Sequence, residues 1–369
     1  MTGAGHTRQF DRKVATLMTL EQAISQIGPL NAAAQQQAQR RWDSIAKPLG
    51  SLGLLEKAIV QVAGITGSAQ VDLSKRCVVV MCADNGVVEE GVTQTSSEVT
   101  AVVTENFTKG ETSVSNMAKV AGAAVIPVDI GVARQVEGPG LVHAKVAWGT
   151  KNLAKEPAMT REEAVAALEV GINLVGKLKD EGYRLIATGE MGIGNTTTSS
   201  ALAAVFCRRS VEEVTGRGAG LSSEGLIRKI EAIKRGIALH KPDPEDGLGV
   251  LAALGGLDIA GLAGVFLGGA AYGIPVLVDG FISAVSALTA VKICPAAEPY
   301  IMASHVSKEP AGQLLLDTLN LLPFLTCDMC LGEGTGAVAA MPILDMACAV
   351  YSNMSTFEEI SIEEYQPLT

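Results

Sequence analysis

Tyr183-Arg-Leu-Ile-Ala-Thr-Gly-Glu-Met-Gly-Ile-Gly-Asn-Thr-Thr-Thr198 runs from a short apolar stretch through a glycine-rich loop. We read a strand over Tyr183–Thr188, a loop over GEMGIGNTTT and a helix from Ser199. Just upstream, residues 160–182 have helical spacing. Thr160 is placed as N-cap, Glu163 completes a capping box, and Ala164, Leu168, Ile172, Val175 and Leu178 form the core face. The alternation repeats outward. Cys77–Cys82 (CVVVMC) is a continuous apolar strand followed by Ala83-Asp84-Asn85-Gly86. Residues 123–132 (AAVIPVDIGV), 273–280 (GIPVLVDG) and 299–305 (PYIMASH) supply further strands. Apolar strands separated by helices predict an α/β fold with a mostly parallel sheet covered by helices on both faces. Ligands then bind beyond the C-terminal strand ends. Chemistry is therefore expected in ADNG, GEMGIGNTTT, DGF and ASHVSKEP.

Residues 19–67 are helical in pattern and break at KPLGSLG, where Pro48, Gly50 and Gly53 interrupt them. The expected division is an extension over 1–17 without order, a small helical domain from 18–67 plus about 335–369, and a large α/β domain over 68–334. The 369 residues are 48% hydrophobic and 18% charged, which excludes general disorder. The net charge is -10, and no Lys/Arg run offers the basic face of a nucleic-acid binder. Seven scattered cysteines argue against a disulfide framework and for a reducing, cytoplasmic setting. Residues 1–17 carry no apolar secretory core. Ile259–Val278 is uncharged and of membrane-span length, but five glycines and Pro275 interrupt it, and Asp258 and Asp279 bracket it. It reads as a helix, a turn and a buried strand over Ile274–Val278, so no membrane span is expected.

Four motifs carry candidate chemistry. In Gly189–Thr198 the glycines allow close backbone approach, and the helix start offers free N–H groups to an anion. It is neither a P-loop nor a dinucleotide fingerprint; the competing reading is an ordinary capped turn. In Leu331-Gly-Glu-Gly-Thr-Gly336 a lone Glu333 among glycines is either a partly desolvated base or a solvated turn residue. Ala83–Gly86 with Gly91–Ser97 suits a pocket lining or a capped loop. Cys327-Asp-Met-Cys330 has no second CxxC or His pair beside it, so buried thiols are expected rather than metal or redox chemistry. Lys229, in GLIRKIEAIKRG, reads as a helix-surface cation unless a phosphate lies nearby. No Ser-His-Asp order, HExxH or acidic metal cage appears.

Together, RWDSIAKPLGSLGLLE (41–56), ADNGVVEEGVTQTSSEVT (83–100), GEMGIGNTTTSSAL (189–202), GRGAGL (216–221), DPEDGLGVLAALGGLDIAGLAG (243–264), SHVSKEP (304–310) and LGEGTGAVAAMPILDMA (331–347) resemble the nicotinate-nucleotide–dimethylbenzimidazole phosphoribosyltransferase family. The resemblance runs from about Leu20 to Ala349. It implies a Rossmann-like domain with a small helical domain from both chain ends, a homodimer, and no cofactor or metal. It also implies transfer of phosphoribose from nicotinate mononucleotide to 5,6-dimethylbenzimidazole, with inversion at C1′, in cobalamin nucleotide-loop assembly. By the same resemblance Glu333 is the general base, Glu190 an auxiliary acid/base or sugar-binding carboxylate, and Lys229 an active-site lysine. Gly192, Gly194, Asn195 and Thr196 hold phosphate and ribose, Ser304 and Ser307 lie near the sugar phosphate or base, and Ser96, Gln94, Met191 and Leu331 line the aromatic-base pocket. The CxxC before LGEGTG departs from the family pattern. Two other functions stay open: transfer to a different base or a phenol, and non-catalytic nucleotide binding, which would not need Glu333.

Overall fold

The run Arg76–Ala83 becomes the central strand, β1, and every residue in it is buried. It lies in a computed structural model that describes residues 17–365. Apart from Leu17, the expected N-terminal extension falls outside the described residues. The other strands are β2 (Ala123–Gly131), β3 (Val142–His143), β4 (Leu185–Met191), β5 (Val276–Leu277) and β6 (Ile301–Met302). They form one sheet in the order β3-β2-β1-β4-β5-β6, and all neighbours are parallel. The parallel α/β expectation is met. The chain leaves β1 toward β2 on one side and β4 toward β5 on the other. Their outgoing loops therefore diverge and open a crevice between the two strand ends, where α/β sheets bind ligands.

Two boundaries differ from the sequence reading at that crevice. Strand β4 continues past Thr188, because Gly189, Glu190 and Met191 pair with Val80, Met81 and Cys82 of β1. The following helix starts at Asn195, four residues before Ser199. Its Thr/Ser run looks loop-like, yet the hydroxyls bond back to the preceding turn: Thr198 Oγ1 to Asn195 O and Ser200 Oγ to Thr196 O. Strands β5 and β6 shrink to two residues each, next to Pro275 and to the 3₁₀ turn Pro295–Tyr300.

The uncharged run folds as expected. Leu257–Tyr272 is a buried helix, Gly273 ends it in the left-handed region (φ +67°), and Val276–Leu277 is a strand. This helix packs backbone-close against Arg161–Asp180, whose Thr160/Glu163 capping box forms as read. A Cβ on Gly264 would overlap Leu168 O, and one on Gly171 would overlap Gly261 O. Among the described residues one helix, Thr335–Asn353, is long and apolar enough to cross a membrane, and half of its most apolar stretch is buried inside the fold.

The chain ends meet in a second, smaller core. Helices Ala32–Ser44, Leu54–Thr66 and Thr335–Asn353 bury Ala38, Trp42, Ile45, Ile59, Ala63 and Tyr351 together, with the Trp42 and Tyr351 rings 5.1 Å apart. The Leu54–Thr66 helix also sends Ala58, Val62 and Ile65 into the main core. Arg76, at the start of β1, reaches the Thr335–Asn353 helix through a two-pronged pair with Asp345, at 2.5 and 2.7 Å.

Candidate active site

A cavity of about 300 Å³ opens over the C-terminal ends of β4 and β5. It is lined by the loop Val92–Thr95, by Glu190–Thr196, by Asp279–Ser283, by His305, Ser307 and Glu309, and by Cys330–Glu333. Three of the four expected strand-end loops are here, GEMGIGNTTT, DGF and ASHVSKEP, joined by residues of two further motifs, Val92–Thr95 and Leu331–Glu333; the fourth, ADNG, does not line the cavity. Asp84 and Asn85 sit behind the cavity and brace the glycine loop. A Cβ on Gly192 would lie 2.6 Å from Ala83 O and 2.5 Å from Asp258 Oδ2, so only glycine lets the two strand-end loops come this close.

Glu190 is fixed by the β1 ladder and is 8% exposed. Its Oε2 accepts from Asn195 Nδ2 at 2.5 Å, and its Oε1 accepts from the Glu333 N–H at 3.3 Å. Asn195 also donates to Asp258 Oδ2 at 3.0 Å, so one amide bridges two buried carboxyls. Burial, with the charges of Asp258 and Asp279 nearby, pushes the Glu190 pKa up to about 8. Burial likewise pushes Asp258 up to about 6.

Glu333 is presented differently. Gly332, Glu333 and Gly334 all have left-handed backbone, with φ of +93°, +62° and +96°. The half-buried side chain turns to the N-terminus of helix Ser113–Ala121, where its Oε2 accepts from Val114 N at 2.9 Å. Burial raises its pKa, while the Val114 and Ser113 N–H groups act against that rise by favouring the carboxylate. Glu333 is therefore not a solvated turn residue.

Gly194 (φ +94°) caps helix Asn195–Phe206, whose first turn faces the cavity. Thr196, in that turn, accepts a hydrogen bond from Lys229 Nζ at 2.8 Å; Lys229 also donates to Gly216 O at 3.0 Å. Lys229 is only 1% exposed, which rules out the surface-cation reading. Burial lowers its pKa to about 8, with Glu309 nearby acting in the opposite direction. It reaches the cavity through Thr196 and does not line it.

Of the remaining candidates, Gly192, Gly194, Asn195, Thr196, Met191, Leu331, Gln94 and Ser307 line the cavity. Gln94 Nε2 donates to Gly220 O, joining two rim loops. Ser96 is exposed and outside the lining. Ser304 is buried behind the wall, with its hydroxyl donating to Val278 O at 2.5 Å. Cys327 and Cys330 are exposed rather than buried, a correction to the sequence reading, and Cys330 lines the cavity. Among the described residues no group of three or more His, Cys, Asp or Glu side chains is arranged to hold a metal ion.

The sequence reading missed Arg217, Asp258, Asp279, His305 and Glu309. Asp279, His305 and Glu309 fall in the loops DGF and ASHVSKEP, where chemistry was expected, without being singled out; Asp258 stands out in sequence only as a charge that, with Asp279, brackets an uncharged run. That bracketing is the available signal, since both charges converge on this site.

A parallel sheet with a glycine loop, an anion-ready helix start and two perturbed carboxyls at its switch point suits sugar-phosphate transfer. A family model described as Phosphoribosyltransferase matches residues 27–362. Proteins named nicotinate-nucleotide–dimethylbenzimidazole phosphoribosyltransferase are 50% identical to this chain in Ruminiclostridium cellulolyticum, over 95% of this chain and all of theirs. In Acetivibrio thermocellus the identity is also 50%, over 94% of this chain and 99% of the relative. The crystal structure of CobT from Thermus thermophilus superposes with a TM-score of 0.85 at 40% identity, covering 90% of this chain and 100% of that one. The chain belongs to the nicotinate-nucleotide–dimethylbenzimidazole phosphoribosyltransferase family, and it is a pentosyltransferase enzyme.

Proposed function

We propose that this enzyme transfers phosphoribose from nicotinate mononucleotide to 5,6-dimethylbenzimidazole, releasing nicotinate and forming α-ribazole 5′-phosphate with inversion at C1′. The observation that carries this reading is the pairing of two glutamates in unlike environments on one cavity beside a helix N-terminus. The donor's ring nitrogen is a pyridinium, so the C1′–N bond breaks with its electron pair going to a neutral ring. The donor supplies its own activation, and the step needs no metal or cofactor. One nitrogen of the benzimidazole attacks C1′ through its lone pair. The other gives its proton to the Glu333 carboxylate, help worth about 10²–10⁴-fold in rate.

Glu190 enters the cycle protonated at neutral pH. The arriving pyridinium favours its ionised form, the Glu190 proton passes to solvent through the open cavity, and the resulting carboxylate faces the positive charge that develops at C1′. The phosphate is gripped by the first turn of helix Asn195–Phe206, with Lys229 holding Thr196 from behind. Met191, Leu331 and Gln94 flank the acceptor base. We assign the enzyme to the cytoplasm as a homodimer, with residues 18–67 and about 335–369 as its small domain. The odd, scattered cysteine set supports the reducing compartment, and the shared small core supports the domain.

The test is to incubate the purified protein with nicotinate mononucleotide and a panel of benzimidazoles and phenols. Mass spectrometry should find dimethylbenzimidazole ribotide, and NMR should assign it the α configuration. Exclusive transfer to phenols would move the acceptor class. Nucleotide binding without nicotinate release would contradict the reaction.

A further inference from the structure

We propose that Asp279 is a positioning residue for this reaction: its carboxylate grips the first turn of helix Thr335–Asn353 and so holds Glu333 in place at the cavity. The inference deepens the reading of Glu333 as base and rests on it.

A left-handed non-glycine residue persists only where its surroundings over-determine it. Glu333 sits between two glycines in the same left-handed region, so the loop has little intrinsic stiffness of its own. Asp279 supplies the missing constraint from the end of β5. Its Oδ1 accepts from Gly336 N at 2.7 Å and Ala337 N at 3.0 Å, and its Oδ2 accepts from Gly334 N at 3.2 Å. One carboxylate thus binds three backbone N–H groups on the residues immediately after Glu333.

Asp279 is itself anchored to the sheet. Its N–H donates to Ser283 Oγ at 3.0 Å, and Ser283 Oγ pairs with Thr188 Oγ1 at 2.5 Å. Thr188, on β4, donates in turn to Leu277 O on β5 at 2.8 Å. The His305 ring seals the other side so closely that a Cβ on Gly336 would overlap it. A rigid route therefore runs from β4, the strand that carries Glu190, to the loop that carries Glu333.

The same side chain acts through charge when it is ionised. The titratable groups facing this cluster are Glu190 from β4, Asp258 from helix Leu257–Tyr272, His305 from the segment after β6, and Glu333. Burial raises the pKa of Asp279 itself, while His305 and the N–H groups of Gly336 and Ala337 act against that rise. In its ionised form Asp279 disfavours ionisation of both glutamates. Removing its charge lowers their pKa values, because a like charge no longer opposes their ionisation.

The test is Asp279→Asn, which keeps size but loses the charge and turns a donor toward Gly334 N. The expected result is a fall in kcat of about 10²-fold, in line with a small misplacement of a reacting group. KM for nicotinate mononucleotide should stay within about threefold, and the acidic limb of kcat/KM should move to lower pH. Amide exchange at Gly334, Gly336 and Ala337 should accelerate in the free enzyme, a readout independent of turnover. Wild-type kcat with an unmoved pH limb, even at a lower melting temperature, would reduce Asp279 to a helix cap and overturn the proposal. If Asp279→Asn does not fold, Ser283→Ala tests the same route: a several-fold lower kcat with faster exchange supports it, and unchanged values of both overturn it. Failure of the base assignment shows separately, as Glu333→Gln retaining full kcat while the Asp279→Asn loop still exchanges faster.

Discussion

Glu190 and Glu333 are both flanked by glycine and lie about one cavity, yet the fold treats them in opposite ways. Glu190 rides on a central strand, is almost completely buried, and faces two other carboxylates, so its proton is held to about pH 8. Glu333 rides on a three-residue left-handed loop, is half-buried, and is met by two helix N–H groups that favour its charge. The difference shows how one residue type holds its proton in one place and meets groups that favour its charge a short step away. Two carboxyls whose environments separate their proton affinities are equipped for unlike tasks in one reaction.

The largest expected effect comes from Glu333→Gln. With the proton acceptor removed, steady-state kinetics should show kcat lower by about 10²–10⁴-fold, with substrate binding retained. Near-wild-type kcat would end the contrast by making Glu333 dispensable. Glu190→Gln should cost less, about 10²-fold in kcat, because the glutamine keeps the neutral shape but cannot become a carboxylate when the cationic donor binds. A loss equal to or beyond that of Glu333→Gln would reverse the assignment. Lys229→Ala should act mainly on the nucleotide, raising its KM by about tenfold through loss of the support behind Thr196. Unchanged kinetics would leave the buried lysine a structural role only.

The smallest effect is on stability. The folded-state pKa of Glu190 is raised, so the native state holds a proton that the unfolded chain releases near the ordinary carboxylate value of 4.5. That contribution is complete below pH 4.5 and disappears as pH rises through about 8. Glu190→Gln carries no such proton. Its melting temperature should fall less than the wild type's between pH 5 and pH 8, by a few degrees in thermal scans. Parallel curves would mean that Glu190 is already ionised in the folded enzyme.

Much of the fold was legible in sequence because apolar runs and capping residues report local structure. The Thr160/Glu163 box, the apolar run at Cys77–Cys82 and the helix–turn–strand reading of Ile259–Val278 all correspond to observed elements. Strand β3 was not legible, since two residues carry no periodicity. The helix start at Asn195 reads too late in sequence because Thr and Ser look like loop residues when their hydroxyls are not known to bond back to the helix. At the site, the glycine-flanked glutamates stood out as individual residues, while Asp279 was covered only by the expectation for its loop, DGF, and Asp258 not at all. Their burial depends on contacts far away in sequence, Asn195 for one and residues 334–337 for the other. The same holds for Lys229: its helix carries cations on several faces, and only the tertiary fold turns this one inward. Ser96 and Ser304 show the converse, as motif position alone does not say whether a hydroxyl reaches the cavity.

The most direct test is infrared difference spectroscopy of the free enzyme at pH 7, comparing wild type with Glu190→Gln and Glu333→Gln for the C=O band of a protonated carboxyl. That band should be lost in Glu190→Gln and kept in Glu333→Gln. Its loss in Glu333→Gln, with no change in Glu190→Gln, would contradict the division of labour between the two glutamates.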